Sequence, residues 1–279
     1  MINLIVTTYN RPLHLKRMLS FFSEYYEEEL NEFNIFILDS SHDKKLEFGL
    51  ELLIEKLNVK YLEFDKDIFI VQKIAKVIPF NNSEYSVLLA DDDIIDLKRY
   101  IEYKKFLDDN LEFSCTTGLG LYDNFEHDLF YKNLNKTVSR YSINDNEYKL
   151  RIEKYTRLQE IGNPFYGIIR TKLFNKIWLN MSTDIKFWYY PELIHNMSIL
   201  IDGKFKVFNN IAGIRNLNEG LFNKDDSLHI LNLKNHNKAM RTFKEINSEI
   251  DSRFIIDQLE IIKSSLSIKI KSEDKKNNG

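Results

Sequence analysis

The first half of the chain alternates short apolar runs with segments in which apolar residues recur at helical spacing. The runs are typical of buried strands, and the spacing is typical of amphipathic helices that cover a sheet. Strands separated by helices predict a parallel sheet with right-handed crossovers. The sequence therefore predicts an α/β fold, with strands at 2–8, 33–38, 59–64 and 85–90 and helices at 13–22, 43–57, 67–78 and 96–109.

The second half has a weaker pattern. Polar and aromatic residues at 122–144 show no clear period. Pro191 suits the first position of a helix that Gly203 would end. The other expected elements are strands at 113–121, 165–169 and 204–211, helices at 145–160, 171–180, 228–247 and 252–268, and a disordered tail at 272–279.

The composition excludes several classes of protein. The chain has 279 residues and a net charge of −3, which gives no global field that would favour nucleic acid. Its one cysteine, Cys115, cannot form an internal disulfide, which fits a reducing compartment. No apolar run approaches the roughly 18 residues that span a bilayer. We therefore expect a cytoplasmic protein with no nucleic-acid partner.

Three consecutive carboxylates, Asp91, Asp92 and Asp93, follow the apolar run at 85–90. Neighbouring charges about 6 Å apart repel by about 3 kcal/mol per pair at an effective dielectric of about 20. Carboxylate oxygens are hard ligands that suit Mg²⁺, Mn²⁺ or Ca²⁺, and Mg²⁺ completes its shell with water and substrate phosphate. This acidic triplet therefore predicts a metal site that holds a phosphate-bearing substrate.

Two further polar clusters, at 7–11 and 39–41, follow predicted strands in the same way. Ligands of open parallel sheets bind beyond the carboxyl ends of the strands. We therefore expect these two clusters and the acidic triplet to form one binding site.

Four segments resemble the GT-A nucleotide-sugar glycosyltransferases, and bacterial family 2-like enzymes in particular. They lie at 5–12 (IVTTYNRP), 38–41 (LDSS), 88–93 (LLADDD) and, more weakly, 191–205. The resemblance implies a GT-A fold, which is a Rossmann-like, mostly parallel sheet flanked by helices. It places a glycosyltransferase domain at 1–220, with a nucleotide-sugar-binding half at 1–118 and an acceptor-binding half at 119–220. A helical C-terminal extension at 221–279 would follow.

The first segment resembles the nucleotide-binding loop of this family. The resemblance implies that Thr7, Thr8 and Tyr9 contact the base and the ribose and that Arg11 lies near phosphate. The alternative is ordinary turn chemistry, in which Asn10 caps the helix that follows.

Asp39 resembles the acid that contacts the nucleobase in this family. A base imide donates a hydrogen bond and a carboxylate only accepts, so the pairing is chemically apt. The alternative is a turn or helix cap built with Ser40 and Ser41.

The acidic triplet resembles the metal-binding DxD motif of the family. Asp91 and Asp93 fit the two ends of the motif, and the other register makes Asp92 and Asp93 the matched pair with Ala90 in place of the leading acid. We assign Asp93 to the metal, Asp91 to the metal or the ribose, and Asp92 to the nucleotide sugar. The alternative is an acidic start to the helix at Asp96.

Glu192 resembles the general base of inverting members, although Leu193 follows it where many members carry Asp. Its alternative role is to occupy the first turn of a helix. Many relatives also have a late histidine that completes the metal site. The comparable segment here is 214–216, and we expect Arg215 to neutralise the diphosphate instead. His195 lies one turn after Glu192 and would face the same cleft or be structural.

Four aromatic residues near the predicted base would stack on an acceptor sugar or belong to the core. They are Trp178, Trp188, Tyr189 and Tyr190. The C-terminal segment is amphipathic, with apolar residues such as Phe254, Leu259 and Leu266. It would contact a membrane, form a homodimer or cover the core of the domain.

The resemblance implies a transfer, dependent on Mg²⁺ or Mn²⁺, of a sugar from a nucleoside diphosphate sugar to an acceptor hydroxyl. We expect a UDP-linked donor, inversion, and a glycan or lipid-linked acceptor in bacterial surface glycan synthesis. One alternative is a nucleotide-sugar-binding protein that has lost catalysis. A less favoured one is a sugar-phosphate nucleotidyltransferase, whose glycine-rich opening loop has no counterpart at 7–12.

Overall fold

A mixed sheet of nine strands runs through the part of the chain that the computed structural model describes, residues 1–42, 49–66, 68–123, 137–138, 141–157, 164–185, 189–216, 233–248, 250–251 and 253–262. In chain order the strands are β1 (Ile2–Thr8), β2 (Phe33–Asp39), β3 (Lys60–Glu63), β4 (Tyr85–Ala90), β5 (Ile94–Ile95), β6 (Phe113–Asp123), β7 (Thr137–Val138), β8 (Ile168–Arg170) and β9 (Lys204–Asn216).

The strands lie in the order β3-β2-β1-β4-β8-β6-β9-β5, and β7 pairs with β6. Strands β1 to β4 are parallel to their neighbours in this group, and β6 is parallel to β9. Strands β5, β7 and β8 are antiparallel to the strands they pair with. The mostly parallel α/β sheet that the sequence predicts is confirmed.

Helices cover both faces of the sheet because successive strand residues point to opposite faces. Leu4 and Val6 of β1 belong to one core cluster, and Ile5 belongs to the other. Helices α1 (Pro12–Tyr25), α2 (Leu50–Lys56) and α4 (Leu97–Asp109) cover the first face. The second face is covered by α3 (Ile70–Val77), α5 (Tyr148–Arg157), α6 (Thr171–Leu179), α7 (Tyr189–Asp202), α8 (Leu233–Ile246) and a last helix at 253–262.

The helix starts differ from the sequence expectation at three places. Arg11, and not Asn10, is the residue that precedes α1. Asn10 adopts a left-handed conformation (φ 55°), and its side-chain oxygen accepts from the backbone N–H of His42 instead. Helix α7 begins at Tyr189, so Pro191 stands third in the helix rather than first. Helix α3 begins at Ile70, and a 3₁₀ turn at Ile78–Phe80 follows it.

The strand predicted at 165–169 is a 3₁₀ turn, Pro164–Tyr166, followed by the short strand β8. The backbone N–H of Gly167 closes this turn on the carbonyl of Pro164 at 2.9 Å. A Cβ atom at Gly167 would lie 2.3 Å from the Cys115 sulfur, so the turn packs directly on β6. This turn brings Tyr166 to the edge of the sheet where β4 ends.

Helix α8 and the helix at 253–262 pack on the second core cluster. Ala239, Phe243, Ile255 and Leu259 are all buried there, and α8 contacts α7. Of the three roles considered for the C-terminal segment, covering the core is the one that these residues adopt. Among the described residues, no helix combines the length and the hydropathy that crossing a membrane requires.

Several sequence expectations fall on other parts of the chain. The start of the helix predicted at 43–57, the end of the one predicted at 252–268 and the tail at 272–279 lie outside the described residues. The domain boundary at 220/221 lies there too, and it stays a prediction. The boundary between the predicted donor and acceptor halves, 118/119, falls inside β6.

Candidate active site

The carboxyl ends of β2, β1 and β4 lie side by side at one edge of the sheet. The parallel register places Thr8 opposite Asp39 and Thr7 opposite Ala90. Because these strands end together, the polar segments that follow them meet at this edge, as the sequence predicts.

A cavity of about 410 Å³ opens at this edge. It is bounded by the end of β1, the start of α3, the end of β4 and the turn that precedes β8. Its polar and aromatic lining includes Thr7, Thr8, Tyr9, Arg11, Ser40, Lys73, Asp91, Phe165 and Tyr166. The volume lies within the range that is typical of small-molecule sites.

Arg11 joins the nucleotide-loop segment to the acidic triplet. Its guanidinium donates to Asp92 at 2.7 Å and to Asp91 at 3.4 Å. The Thr8 hydroxyl donates to the other oxygen of Asp91 at 2.6 Å. Burial raises the pKa of Asp91 to about 6, although the Thr8 hydrogen bond and the Arg11 charge both act to lower it. The structure thus brings together Thr8, Arg11, Asp91 and Asp92.

Asp93 pairs with a different arginine. The antiparallel register of β5 and β9 sets Ile94 opposite Ile214, which places Asp93 beside Arg215. The Arg215 guanidinium lies 3.3 Å from an oxygen of Asp93 and 3.4 Å from the centre of the Tyr166 ring. The side chain of Arg215 is 15% exposed and that of Asp93 is 7% exposed, so this ion pair is largely shielded from water.

Asp96 caps α4, so the acidic triplet has no capping task. The Asp96 carboxylate accepts from the backbone N–H groups of Lys98 and Arg99, and β5 separates it from the triplet. The alternative interpretation of the triplet, an acidic start to a helix, therefore fits Asp96 alone.

Arginine side chains supply positive charge beside all three acids, a source that the sequence reasoning did not anticipate. Among the described residues, no group of three or more His, Cys, Asp or Glu side chains is placed to hold a metal. Mg²⁺ in nucleotide sites is usually held by one or two carboxylates together with substrate phosphate and water. Asp91 and Asp93 offer hard oxygen donors of the type that such a metal prefers.

Lys73 is a site residue that the sequence reasoning missed. It lies on the buried face of α3, and its ammonium group donates to the carbonyls of Thr8 and Leu38 and to the Ser40 hydroxyl. Burial lowers the pKa of Lys73 to about 8, against the raising effect of Asp39 and Asp91. The available signal was a lysine among the apolar residues Ile70, Val71, Ile74 and Val77 of this helix.

Asp39 is buried and is not among the residues that line the cavity. Its carboxylate accepts from the backbone and the hydroxyl of Ser41 and from the Tyr61 hydroxyl. A carboxylate has about four acceptor positions, and these bonds fill three of them. The turn role with Ser41 is therefore present in the structure, and the nucleobase contact stays a prediction.

Tyr9 stands at the mouth of the cavity with 42% of its surface exposed. Its hydroxyl lies 2.5 Å from Nε2 of His42, and the two rings meet edge to face. His42, which follows the Asp39–Ser41 segment, is a second residue that the sequence reasoning did not select. The pair connects the two polar segments at the cavity entrance.

Glu192 lies in the first turn of α7, where it is partly buried. Its charge acts on two neighbouring phenols. Burial raises the pKa of Tyr155, and Glu192 raises it further. Tyr166 is affected in the same way, first by burial, then by Asp93 and Glu192. Helix α7, which carries Glu192, contacts the turn Pro164–Tyr166.

His195 and two of the four aromatic residues considered for acceptor binding belong to the core. His195 is buried among Phe165, Phe174 and Trp178, and burial lowers its pKa to about 3. It is therefore a neutral core residue and does not face the cleft. Trp178 and Tyr190 are also core residues. Trp188 and the side chain of Tyr189 lie outside the described residues.

Comparisons with known proteins identify the fold. No family model matches the sequence, and no curated protein matches it. Among solved structures, TarS of Staphylococcus aureus (residues 1–349) in complex with UDP has a TM-score of 0.59 at 16% identity, covering 88% of this chain and 70% of that one. Full TarS has a TM-score of 0.57 at 15% identity, and the match spans 88% of this chain and 42% of TarS.

A third similar structure is the mannosyltransferase PcManGT of Pyrobaculum calidifontis in complex with GDP-Man and Mn²⁺. Its TM-score is 0.51 at 11% identity, covering 96% of this chain and 75% of that one. At these identities the similarity shows the fold alone. The GT-A fold that the sequence resemblance implies is thus confirmed.

Proposed function

We propose that this chain is a metal-dependent, inverting glycosyltransferase that uses a nucleoside diphosphate sugar in bacterial surface glycan synthesis. One observation carries the proposal. At the carboxyl ends of β1 and β4, Thr8, Arg11, Lys73 and Asp91 meet around a cavity of about 410 Å³. The fold supports it, because structures of this fold are solved with UDP-GlcNAc, UDP and GDP-Man.

The donor would occupy this cavity with its diphosphate toward the arginines. Thr7, Thr8 and Tyr9 would contact the base and the ribose. Asp39 would accept a hydrogen bond from the base, or it would hold Ser41 against the base. Arg11 and Arg215 would bind phosphate oxygens, since a planar guanidinium matches them in two-point contacts. We propose UDP as the nucleotide, because a structure of the same fold, TarS residues 1–349, is solved in complex with UDP.

Asp93 and Asp91 would hold the metal. Both are buried at the end of β4, beside the position proposed for the diphosphate, and both offer hard oxygen donors. A bound Mg²⁺ or Mn²⁺ would supply a positive charge that lowers the energy of the departing diphosphate.

Glu192 would act as the general base. The acceptor oxygen forms a bond to the anomeric carbon while the bond from that carbon to the diphosphate oxygen breaks, and the hydroxyl proton passes to Glu192. Attack opposite the leaving group inverts the anomeric centre. The position of Glu192 supports this role, because it lies in the first turn of α7, and α7 contacts the turn that carries the cavity residue Tyr166.

The acceptor would be a hydroxyl of a glycan or a lipid-linked saccharide, bound by the second half of the chain. The buried apolar residues of the C-terminal helices do not supply a membrane-binding face, since they pack on the core. A liposome-binding assay tests whether the protein binds to the surface of a membrane.

Calorimetry with UDP, GDP and ADP, in Mn²⁺ or Mg²⁺, tests the donor site. We expect the wild-type protein to bind UDP. Arg11→Gln should lower the affinity for UDP by about 10- to 100-fold, which corresponds to the loss of one charge-assisted hydrogen bond. Arg99→Gln is the matched control, because Arg99 is an exposed guanidinium that pairs with Glu102 on α4. The proposal is wrong if the wild-type protein binds none of the three nucleotides.

A further inference from the structure

Tyr166 connects three parts of the candidate site. It lines the cavity, its ring lies against the Arg215 guanidinium, and the turn that carries it contacts α7, the helix of Glu192. The turn that carries it is fixed, since the Tyr100 hydroxyl donates to the Tyr166 carbonyl at 2.7 Å. None of the segments that resemble a known family contains this residue.

Arg215 is held from two directions. Its Cζ atom stands 3.4 Å from the centre of the Tyr166 ring, and a terminal nitrogen lies 3.3 Å from Asp93. A guanidinium stacked on an aromatic face is attracted by the ring and is also fixed in its plane. The carboxylate then sets its rotation within that plane. Lysine would lack this planar stacking, because its ammonium is a compact charge on a flexible stem.

Tyr166 and Asp93, which both contact Arg215, differ in their relation to the cavity. Tyr166 lines the cavity, whereas Asp93 and Arg215 line a separate space of about 10 Å³. A molecule in the cavity therefore meets Tyr166, the residue whose ring contacts Arg215.

We infer that Tyr166 is a positioning residue that holds Arg215 in the orientation in which it binds the second phosphate of a nucleoside diphosphate. The inference rests on the proposed function and adds a residue to it. The aromatic ring, rather than the phenol hydroxyl, performs this task. Tyr166→Phe should therefore behave like the wild-type protein, and Tyr166→Leu should not.

The test compares the affinities of UDP and UMP, or of GDP and GMP if the wild-type protein binds guanine nucleotides. We expect Tyr166→Leu to reduce the diphosphate-to-monophosphate affinity ratio by about 3- to 30-fold, the range of a cation–π contact that is partly shielded from water. Tyr166→Phe should change the ratio by less than about 2-fold. A merely structural role would weaken both nucleotides equally and leave the ratio unchanged.

A double-mutant cycle isolates the pair. Arg215→Gln alone should lower the same ratio, and adding Tyr166→Leu to it should lower the ratio no further. Arg215→Lys provides a second measurement that leaves Tyr166 in place, in case Tyr166→Leu fails to fold. It keeps the charge and removes the planar stack, so it should also lower the ratio.

The outcomes separate this inference from the proposed function. An unchanged ratio in Tyr166→Leu or in Arg215→Lys, or additive effects in the cycle, overturns the inference and leaves the donor site standing. A wild-type protein that binds neither UDP nor GDP overturns the proposed function, and the inference is overturned with it.

Discussion

Lys73→Met removes a buried charge from the cavity floor, and its effect on stability should depend strongly on pH. Lys73 is 4% exposed. One pKa unit corresponds to about 1.4 kcal/mol, so a pKa lowered from 10.5 to about 8 corresponds to about 3 kcal/mol. Below pH 8 the lysine is charged in both the folded and the unfolded chain, and the folded chain bears this full penalty.

The sign follows from proton binding. Between about pH 8 and pH 10.5 the unfolded chain still holds a proton that the folded chain has released, so this group makes stability rise with pH. The free energy of unfolding of the wild-type protein minus that of Lys73→Met should therefore increase by about 3 kcal/mol from about pH 7 to about pH 10.5.

Urea unfolding of both proteins at the two pH values measures this change. Lys76→Met is the control, because Lys76 is an exposed lysine on the same helix. Comparing variants cancels the titration of all other groups that the substitutions leave unaltered. A difference between the wild-type protein and Lys73→Met that stays constant with pH would refute the argument that burial perturbs Lys73.

Three further predictions concern the base, the metal ligand and the core. Glu192→Gln should lower turnover by roughly 10²- to 10⁴-fold, and near-native turnover would reject Glu192 as the base. Asp93→Ala should abolish metal-dependent donor binding, and calorimetry that finds unchanged affinity for UDP with Mn²⁺ would reject that role. Phe243→Ala should lower the free energy of unfolding by about 3–5 kcal/mol, because α8 buries this ring in the core. Leu52→Ala, at an exposed position, should change it by less than about 0.5 kcal/mol, and equal effects in the two variants would contradict the packing of α8.

The sequence predicted the sheet because buried parallel strands have a local signature. The apolar runs at 2–8 and 85–90 became β1 and β4 with the same bounds. The sequence also predicted that the polar segments meet, since parallel strands that lie next to each other end at the same edge. Strand β8 was misplaced because a 3₁₀ turn and a three-residue strand are too short to give a periodic pattern.

The contacts that complete the site are tertiary, and no local pattern encodes them. The Arg11–Asp92 and Arg215–Asp93 pairs join residues that are 81 and 122 positions apart. The acidic triplet predicted a metal, and Arg11 and Arg215 were assigned to phosphate, so the pairing of these arginines with the acids was not predicted. Tyr166 was equally hidden, since its contact with Arg215 depends on a turn that the pattern at 164–169 did not predict.

The most direct test of the proposed function is the release of nucleoside diphosphate from UDP-sugars and GDP-sugars, measured without an acceptor and with Mn²⁺. We predict slow release from at least one donor, dependent on the metal and lost in Asp93→Ala. Binding of the donor without any release, from the wild-type protein and at all metal concentrations, would contradict catalysis and support a nucleotide-sugar-binding protein instead.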